Sequence, residues 1–254
     1  AQNFLQTVIP DIDKSQSELQ LSLFHTVFNV INTLLMIGLI PYIAKVVTRL
    51  VPSRGIEDET FHLEYIGTGT VVTTEASILE SKKEIQKFGK LVQRMTGFVS
   101  ELLVETDKKK FKKQLERIKK YEEITDKIET EVVGYLAKVS ESELSEEASL
   151  QIRSMLSIAD DLETIGDINY SMSRTIKRKN EDKIYFIPQQ RENLLELFKL
   201  VDQAMYKMQH NLEVEMNKVD LDGAYHAEKE INRFRNNLRK GHLKSIENGE
   251  YQHA

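Results

Sequence analysis

The amino-acid sequence predicts an all-α protein, made of one membrane-spanning helix followed by an antiparallel helical bundle. Three observations predict this fold class. The run from Phe24 to Ala44 has no charged residue, although 30% of the chain is charged. Further along, apolar residues recur at spacings of three, four or seven, which is typical of helices packed in a bundle. Residues 53–187 contain no proline, so long helices are permitted there.

The first element is the predicted transmembrane helix, residues 21–47. At about 1.5 Å per residue, the charge-free run would span roughly 31 Å, close to the ~30 Å hydrocarbon core of a bilayer. The alternative is a buried core helix of a soluble bundle, but such helices usually carry a polar face. The length and the missing charges favour the membrane, so a lipid bilayer is the first predicted partner.

The flanking charges predict the orientation of this helix. Mostly acidic residues precede it, and Lys45, Arg49 and Arg54 follow it. Because basic residues flank the cytoplasmic end of membrane helices, residues 1–20 are predicted to be an extracytoplasmic loop and residues after about 45 to be cytoplasmic. We interpret the chain, which begins with Ala1, as a fragment of a longer multi-pass protein of the cell (inner) membrane.

One face of the predicted membrane helix is polar. His25, Asn29 and Asn32 are spaced i, i+4, i+7 and therefore share that face. They are candidates for lining a transport path, and the alternative is that they only form hydrogen bonds with neighbouring helices. A single helix cannot enclose a path, so a transporter would require transmembrane helices that this sequence lacks.

After a predicted cytoplasmic linker (residues 48–77), the chain reads as two helical repeats. Residues 78–179 form a first repeat of three helices, and residues 188–254 form an incomplete second repeat, because its two helices repeat the spacing of the first two. Asp107 can cap the second helix, a Ser/Glu-rich stretch around residues 140–149 can cap the third, and Pro188 suits the first turn of the fourth. The stripe of the first helix is Ile78, Ile85, Phe88, Val92, Met95, Val99 and Leu102.

Two acidic faces lie on consecutive helices of the first repeat. Each carries three carboxylates on one side of its helix: Glu122, Asp126, Glu129, Asp160, Glu163 and Asp167. Like charges at this spacing repel, so the pattern indicates either a bound cation or two solvated faces paired with Lys and Arg. An all-oxygen ligand set favours Mg, Mn, Ca or Fe over Zn. Residues 63–209 contain no His, which argues against the Glu-x-x-His pairs of di-iron oxidases.

The sequence offers no catalytic residues, and we predict that the protein is not an enzyme. The chain contains no Cys, no phosphate-cradling Gly loop with a Walker Lys, and no G-x-S-x-G elbow. With a formal net charge of -5, it also lacks the basic balance of nucleic-acid-binding proteins.

Two motifs carry a resemblance to known families. The segment "LETIGDI" at residues 162–168, preceded by "EEITDKIE", resembles the signature of PhoU-type bundles, which consist of two three-helix repeats with acidic metal-binding motifs. The "HTVFN" start of the membrane helix, followed by a basic loop and this bundle, resembles the C-terminal part of bacterial sodium/phosphate cotransporters related to the type II family. The resemblance covers almost the whole chain.

The resemblance implies a sodium-dependent transporter of inorganic phosphate with a cytoplasmic regulatory bundle. Sodium would be the transport ion, and the implied metal-binding pairs are Glu122 with Asp126 and Glu163 with Asp167. In the second repeat, the matching position pairs Glu228 with Asn232 and so lacks one carboxylate. The family's Gln- and Ser-rich substrate repeats are absent from this sequence, so no phosphate-binding residue can be named. A second copy of the chain, forming a homo-oligomer, is a further candidate partner. The alternative function is a membrane-anchored signalling or scaffold bundle without transport.

Overall fold

The computed structural model describes residues 17–50, 63–66 and 73–249, and within these ranges it contains six α-helices and no strand. The helices are α1 (Ser17–Leu50), α2 (Thr74–Val104), α3 (Lys108–Val139), α4 (Glu146–Glu181), α5 (Pro188–Glu213) and α6 (Leu221–Glu247). A short 3-10 turn, Met216–Lys218, precedes α6. The all-α prediction is confirmed.

Helix α1 belongs to a compact unit of its own, residues 1–60, of which residues 17–50 are described. Its segment Leu21–Val47 has a mean hydropathy of 1.9, is long enough to cross a membrane, and none of its most apolar stretch is buried. Pro41 lies inside the helix. The predicted extracytoplasmic loop falls mostly on residues outside the described ranges, as do much of the linker and the last five residues of the second repeat.

The second unit, which begins at residue 61, is a bundle in which α2, α3 and α4 pack against one another. Only three residues connect α2 to α3 and six connect α3 to α4, so consecutive helices run antiparallel. Helix α5 packs on α2, and α6 packs on α5. The predicted stripe of α2 is confirmed as core, since all its members from Ile85 to Leu102 are at most 2% exposed.

The core consists of two apolar clusters arranged along the bundle. One surrounds Phe88, Val92 and Val132, and the other surrounds Met95 and Tyr121. Within the described parts of α5 and α6, only Met205, Gln209 and Ala227 are buried. The first three helices therefore carry most of the burial that stabilises this unit.

The helix ends agree with the capping residues that the sequence suggested. The Asp107 carboxylate accepts the backbone N–H groups of Lys109 and Lys110, both at 2.9 Å, and so starts α3. The Ser145 hydroxyl accepts the N–H of Ala148 at 3.1 Å at the start of α4. Pro188 occupies the first turn of α5. The Asp107 and Ser145 side chains satisfy N–H groups that have no partner within the helix, and Pro188 has no N–H group to satisfy.

A buried carboxylate on α2 holds the segment 63–66 against the bundle. The Glu84 side chain is 1% exposed and accepts the backbone N–H groups of Glu64 (3.2 Å) and Tyr65 (2.9 Å). Lys87 lies 3.0 Å from the Glu64 carboxylate and 3.8 Å from Glu84, so it partly compensates the buried charge. Leu63 and Ile66 pack on the core beside this contact. One acidic side chain of α2 thus holds the segment 63–66 against the bundle.

Candidate metal centre

Three of the six predicted carboxylates come together between α3 and α4. One oxygen from each of Glu122, Asp126 and Asp167 lies within 4.8 Å of the other two. Glu122 is half-buried, whereas Asp126 and Asp167 are exposed. The i, i+4 spacing places the first two on one face of α3, and α4 supplies the third from the opposite side.

A close contact between the two helices sets their register at this point. Thr125 is fully buried, and its hydroxyl donates a hydrogen bond to the Glu122 carbonyl oxygen at 2.8 Å. A Cβ atom added to Gly166 would lie 3.0 Å from the Thr125 Oγ1 and 3.4 Å from its Cβ. The absence of a side chain at Gly166 therefore allows α4 to approach α3. Asp167 follows directly and meets the acidic face of α3.

The other three predicted ligands are not part of this close group. Glu129 and Asp160 lie further along the seam, and the Glu129 carboxylate accepts a hydrogen bond from the Thr130 hydroxyl at 3.4 Å. Glu163 is half-buried and is repelled by Asp167, Asp126 and Glu129. The acidic seam thus consists of a close group of three carboxylates and a looser group of three.

The local environment raises the pKa of several of these carboxyl groups. Partial desolvation is the larger cause for Glu122, and repulsion from Asp126 and Asp167 adds to it. Desolvation followed by repulsion from Asp167 likewise raises the pKa of Asp126. The same two causes raise the pKa of Glu163. The folded chain therefore brings negative charges together at a cost, which a bound cation would offset.

Residues 85–176, which span most of α2, α3 and α4, match the family model of the PhoU domain. The chain contains a PhoU-like domain. Searches of the curated proteins and of the solved structures gave no match for the chain. The matched range includes both acidic faces and the Thr125–Gly166 contact. PhoU family domains are regulatory rather than enzymatic.

The donor set of the PhoU-like domain suits a hard cation. Carboxylate oxygens are the ligands that Ca²⁺, Mg²⁺ and Mn²⁺ prefer, and the exposure of Asp126 and Asp167 leaves room for water ligands. Three oxygens spaced evenly around one Ca²⁺, at about 2.3–2.6 Å from the ion, are about 4.0–4.5 Å apart, and around Mg²⁺ they are closer. The three carboxylate oxygens, which lie within 4.8 Å of one another, are therefore near this spacing, and small side-chain rotations would complete a ligand set for either ion.

The remaining predicted positions lie outside the PhoU-like domain. His25, Asn29 and Asn32 are exposed on one face of α1. On α6, the Asn232 side-chain amide donates a hydrogen bond to the Glu228 carboxylate at 3.2 Å, so this position of the predicted second repeat is an amide–carboxylate pair.

Sequence reasoning did not single out the two residues that set the register of the acidic seam. In the sequence, Thr125 is one position in the regular spacing of the second predicted helix, and Gly166 is one residue of the signature "LETIGDI". A signal was nevertheless present. A glycine inside a strongly helical pattern weakens the helix, and such a residue commonly marks close packing.

Proposed function

We propose that the chain is part of a phosphate-transport protein, in which α1 anchors a regulatory PhoU-like domain to the membrane. PhoU-like proteins regulate phosphate transport, and the family match includes the whole acidic seam. The length and hydropathy of α1 support a membrane anchor. The single observation that carries the regulatory role is the convergence of Glu122, Asp126 and Asp167 inside the matched range.

The finer proposal is a sodium-dependent transporter of inorganic phosphate. The order of parts supports it, because a membrane helix with a polar face precedes a basic segment and then the PhoU-like domain. In this proposal, transport proceeds by alternating access around a midplane site that other transmembrane helices of the complete protein would build. His25, Asn29 and Asn32 would face those helices, since polar groups are costly against lipid.

The PhoU-like domain would respond to divalent cations in the cytoplasm by binding one of them. Glu122, Asp126 and Asp167 would hold the ion, and Glu163 would add a fourth carboxylate through a rotation of its side chain. Because the carboxylates come from two helices, binding would pull α3 and α4 together and stabilise one arrangement of the domain. The cation can shift the equilibrium between two arrangements of the domain only by the difference between its binding free energies for them.

Uptake of labelled phosphate tests this function. The complete protein would be reconstituted in proteoliposomes and assayed with and without an inward sodium gradient. We expect uptake that requires sodium. We also expect Asp126→Asn combined with Asp167→Asn to change the dependence of uptake on divalent cations, whereas the matched change Asp161→Asn on the exposed side of α4 leaves it unaltered.

The opposite result would favour the anchored signalling bundle. No uptake in vesicles that are tight and correctly oriented would contradict the transport proposal. A different result would separate the two proposals. If uptake requires sodium but its dependence on divalent cations is unchanged in the Asp126→Asn and Asp167→Asn variant, the transport proposal stands and regulation through the acidic seam is contradicted.

A further inference from the structure

A second feature of the bundle lies beyond the acidic seam, at the end where α2 stops and α3 begins. A cavity of about 900 Å³ opens there between the end of α2, the first third of α3 and the last turns of α4. Its floor consists of apolar side chains of the second core cluster, among them Leu102, Phe111 and Phe186. Small-molecule sites typically have volumes of about 300–1,000 Å³, so this cavity is large enough for a whole metabolite.

The wall of this cavity is strongly basic, although the chain as a whole carries a net charge of -5. Eight lining residues are Lys or Arg and three are Glu, which gives a local excess of five positive charges. Two of the three acids already face lysines, since Glu116 lies 3.8 Å from Lys112 and Glu181 lies 3.8 Å from Lys177. Lys119 also lies 3.4 Å from Glu123, which is outside the lining. The excess is therefore concentrated on the other basic residues: Lys108, Arg174, Arg178, Lys179 and Arg191.

Two basic residues of the lining, Lys179 and Arg191, repel each other. Partial burial, followed by repulsion from Arg191, lowers the pKa of Lys179. Its ammonium group lies 4.6 Å from the centre of the Phe186 ring. Within the described part of the chain, neither Arg178 nor Arg191 has an ion-pair partner. A bound anion would relieve this repulsion.

Aromatic surface lies next to these cations. Phe111, Tyr170 and Phe186 are partly buried against the core and line the cavity. Tyr185 is 71% exposed at the same place. Inorganic phosphate alone would leave this apolar surface and most of the volume unused. A ligand with both an anionic and an apolar part would contact both kinds of wall.

We propose that this cavity binds a phosphorylated ligand that carries an aromatic or apolar group. Arg178, Lys179 and Arg191 would hold the phosphoryl oxygens through charge-assisted hydrogen bonds. Phe111, Tyr170 and Phe186 would pack against the apolar group. A soluble nucleotide and the headgroup region of an anionic phospholipid share this chemistry. The site differs from the acidic seam, because none of the six carboxylate residues of the seam lines the cavity.

Calorimetric titration of the full chain in non-ionic detergent tests the proposal, with ATP, adenosine and inorganic phosphate as separate probes and EDTA present. Co-sedimentation with phosphatidylglycerol vesicles provides the lipid arm. The test variant combines Lys179→Ala with Arg191→Ala. The matched control is Lys113→Ala, an exposed lysine of α3 outside the cavity. Circular dichroism establishes that both variants keep the helical content of the parent.

We expect ATP or the vesicles to bind, the double variant to bind at least tenfold more weakly, and Lys113→Ala to bind like the parent. ATP binding identifies a nucleotide, and vesicle binding without ATP binding identifies a lipid headgroup. The proposal is overturned if neither probe binds, or if inorganic phosphate binds as tightly as ATP. It is also overturned if Lys113→Ala weakens binding as much as the double variant does.

Discussion

At the scale of single residues, Gly166 shows how one missing side chain positions a site. A Cβ atom there would meet the Oγ1, Cβ and Cγ2 atoms of the fully buried Thr125 at 3.0–3.5 Å. The neighbouring carboxylates approach one another because the backbones of α3 and α4 do so at this point. The glycine therefore costs helix propensity and, in return, permits the convergence of Glu122, Asp126 and Asp167.

Gly166→Ala tests this interpretation against a matched glycine. Gly134, an exposed residue of α3, has no atom within 4 Å of an added Cβ. We expect Gly134→Ala to raise the free energy of unfolding by about 0.5–1 kcal/mol through helix propensity. Gly166→Ala should lower it by about 1 kcal/mol, because overpacking costs about 1–3 kcal/mol and exceeds the propensity gain. Urea unfolding monitored by circular dichroism measures both, and equal effects would contradict the close-contact account.

Glu84 is the second residue with a local structural role. Glu84→Gln keeps the shape but removes the charge and leaves amide hydrogens in a buried site. We expect the free energy of unfolding to fall by about 1–3 kcal/mol. The backbone amides of Glu64 and Tyr65 should exchange with deuterium faster, because Glu84 accepts both. Hydrogen exchange by mass spectrometry reads this directly. Unchanged exchange at residues 64–65, or the same acceleration in the exposed control Glu131→Gln, would contradict the anchoring role.

At the scale of helices, the sequence predicted the spacing within each element but not the register between elements. The core stripes, the N-caps of α3 and α4 and the first-turn Pro188 of α5 depend on periodicity and on local backbone preferences, both of which are visible in a single sequence. Which three of the six carboxylates lie close together depends on the offset of α4 relative to α3 along the helix axes. That offset is set by the contact of Thr125 with Gly166, which joins residues 41 positions apart. A periodic pattern contains no information about it.

The raised pKa values of Glu122, Asp126 and Glu163 predict how stability depends on pH. A carboxyl group whose pKa is higher in the folded state holds its proton there after the unfolded chain has released it. Unfolding then releases protons, so stability falls as pH rises from the ordinary carboxyl pKa of about 4 through the raised values. Below that range the cost disappears.

Thermal unfolding in EDTA between pH 4 and 7 checks this sign. Compared with the parent, Glu122→Gln combined with Asp126→Asn should show a smaller loss of Tm as the pH rises, because the repelling charges are gone. Asp161→Asn, the exposed control on α4, should follow the parent. A double variant that loses Tm as steeply as the parent would show that these carboxylates do not repel one another in the folded chain.

At the scale of the whole molecule, the chain combines a helix that is apolar enough to cross a membrane with a PhoU-like domain. The sequence predicted both parts, because the charge-free run and the signature "LETIGDI" are local features. It did not predict the basic cavity. Its lining residues come from four helices and the segment between α4 and α5. In the sequence, each of its basic residues looks like an ordinary solvated side chain.

The regulatory role proposed for the PhoU-like domain requires that its acidic seam bind a divalent cation. The test is equilibrium dialysis of the full chain in detergent against Mn²⁺, with Asp167→Asn and the control Asp161→Asn. We predict about one bound ion per chain and at least about tenfold weaker binding in Asp167→Asn. The control should bind like the parent. No bound ion in the parent, or equal binding by both variants, would contradict the claim and leave the seam a solvated acidic surface.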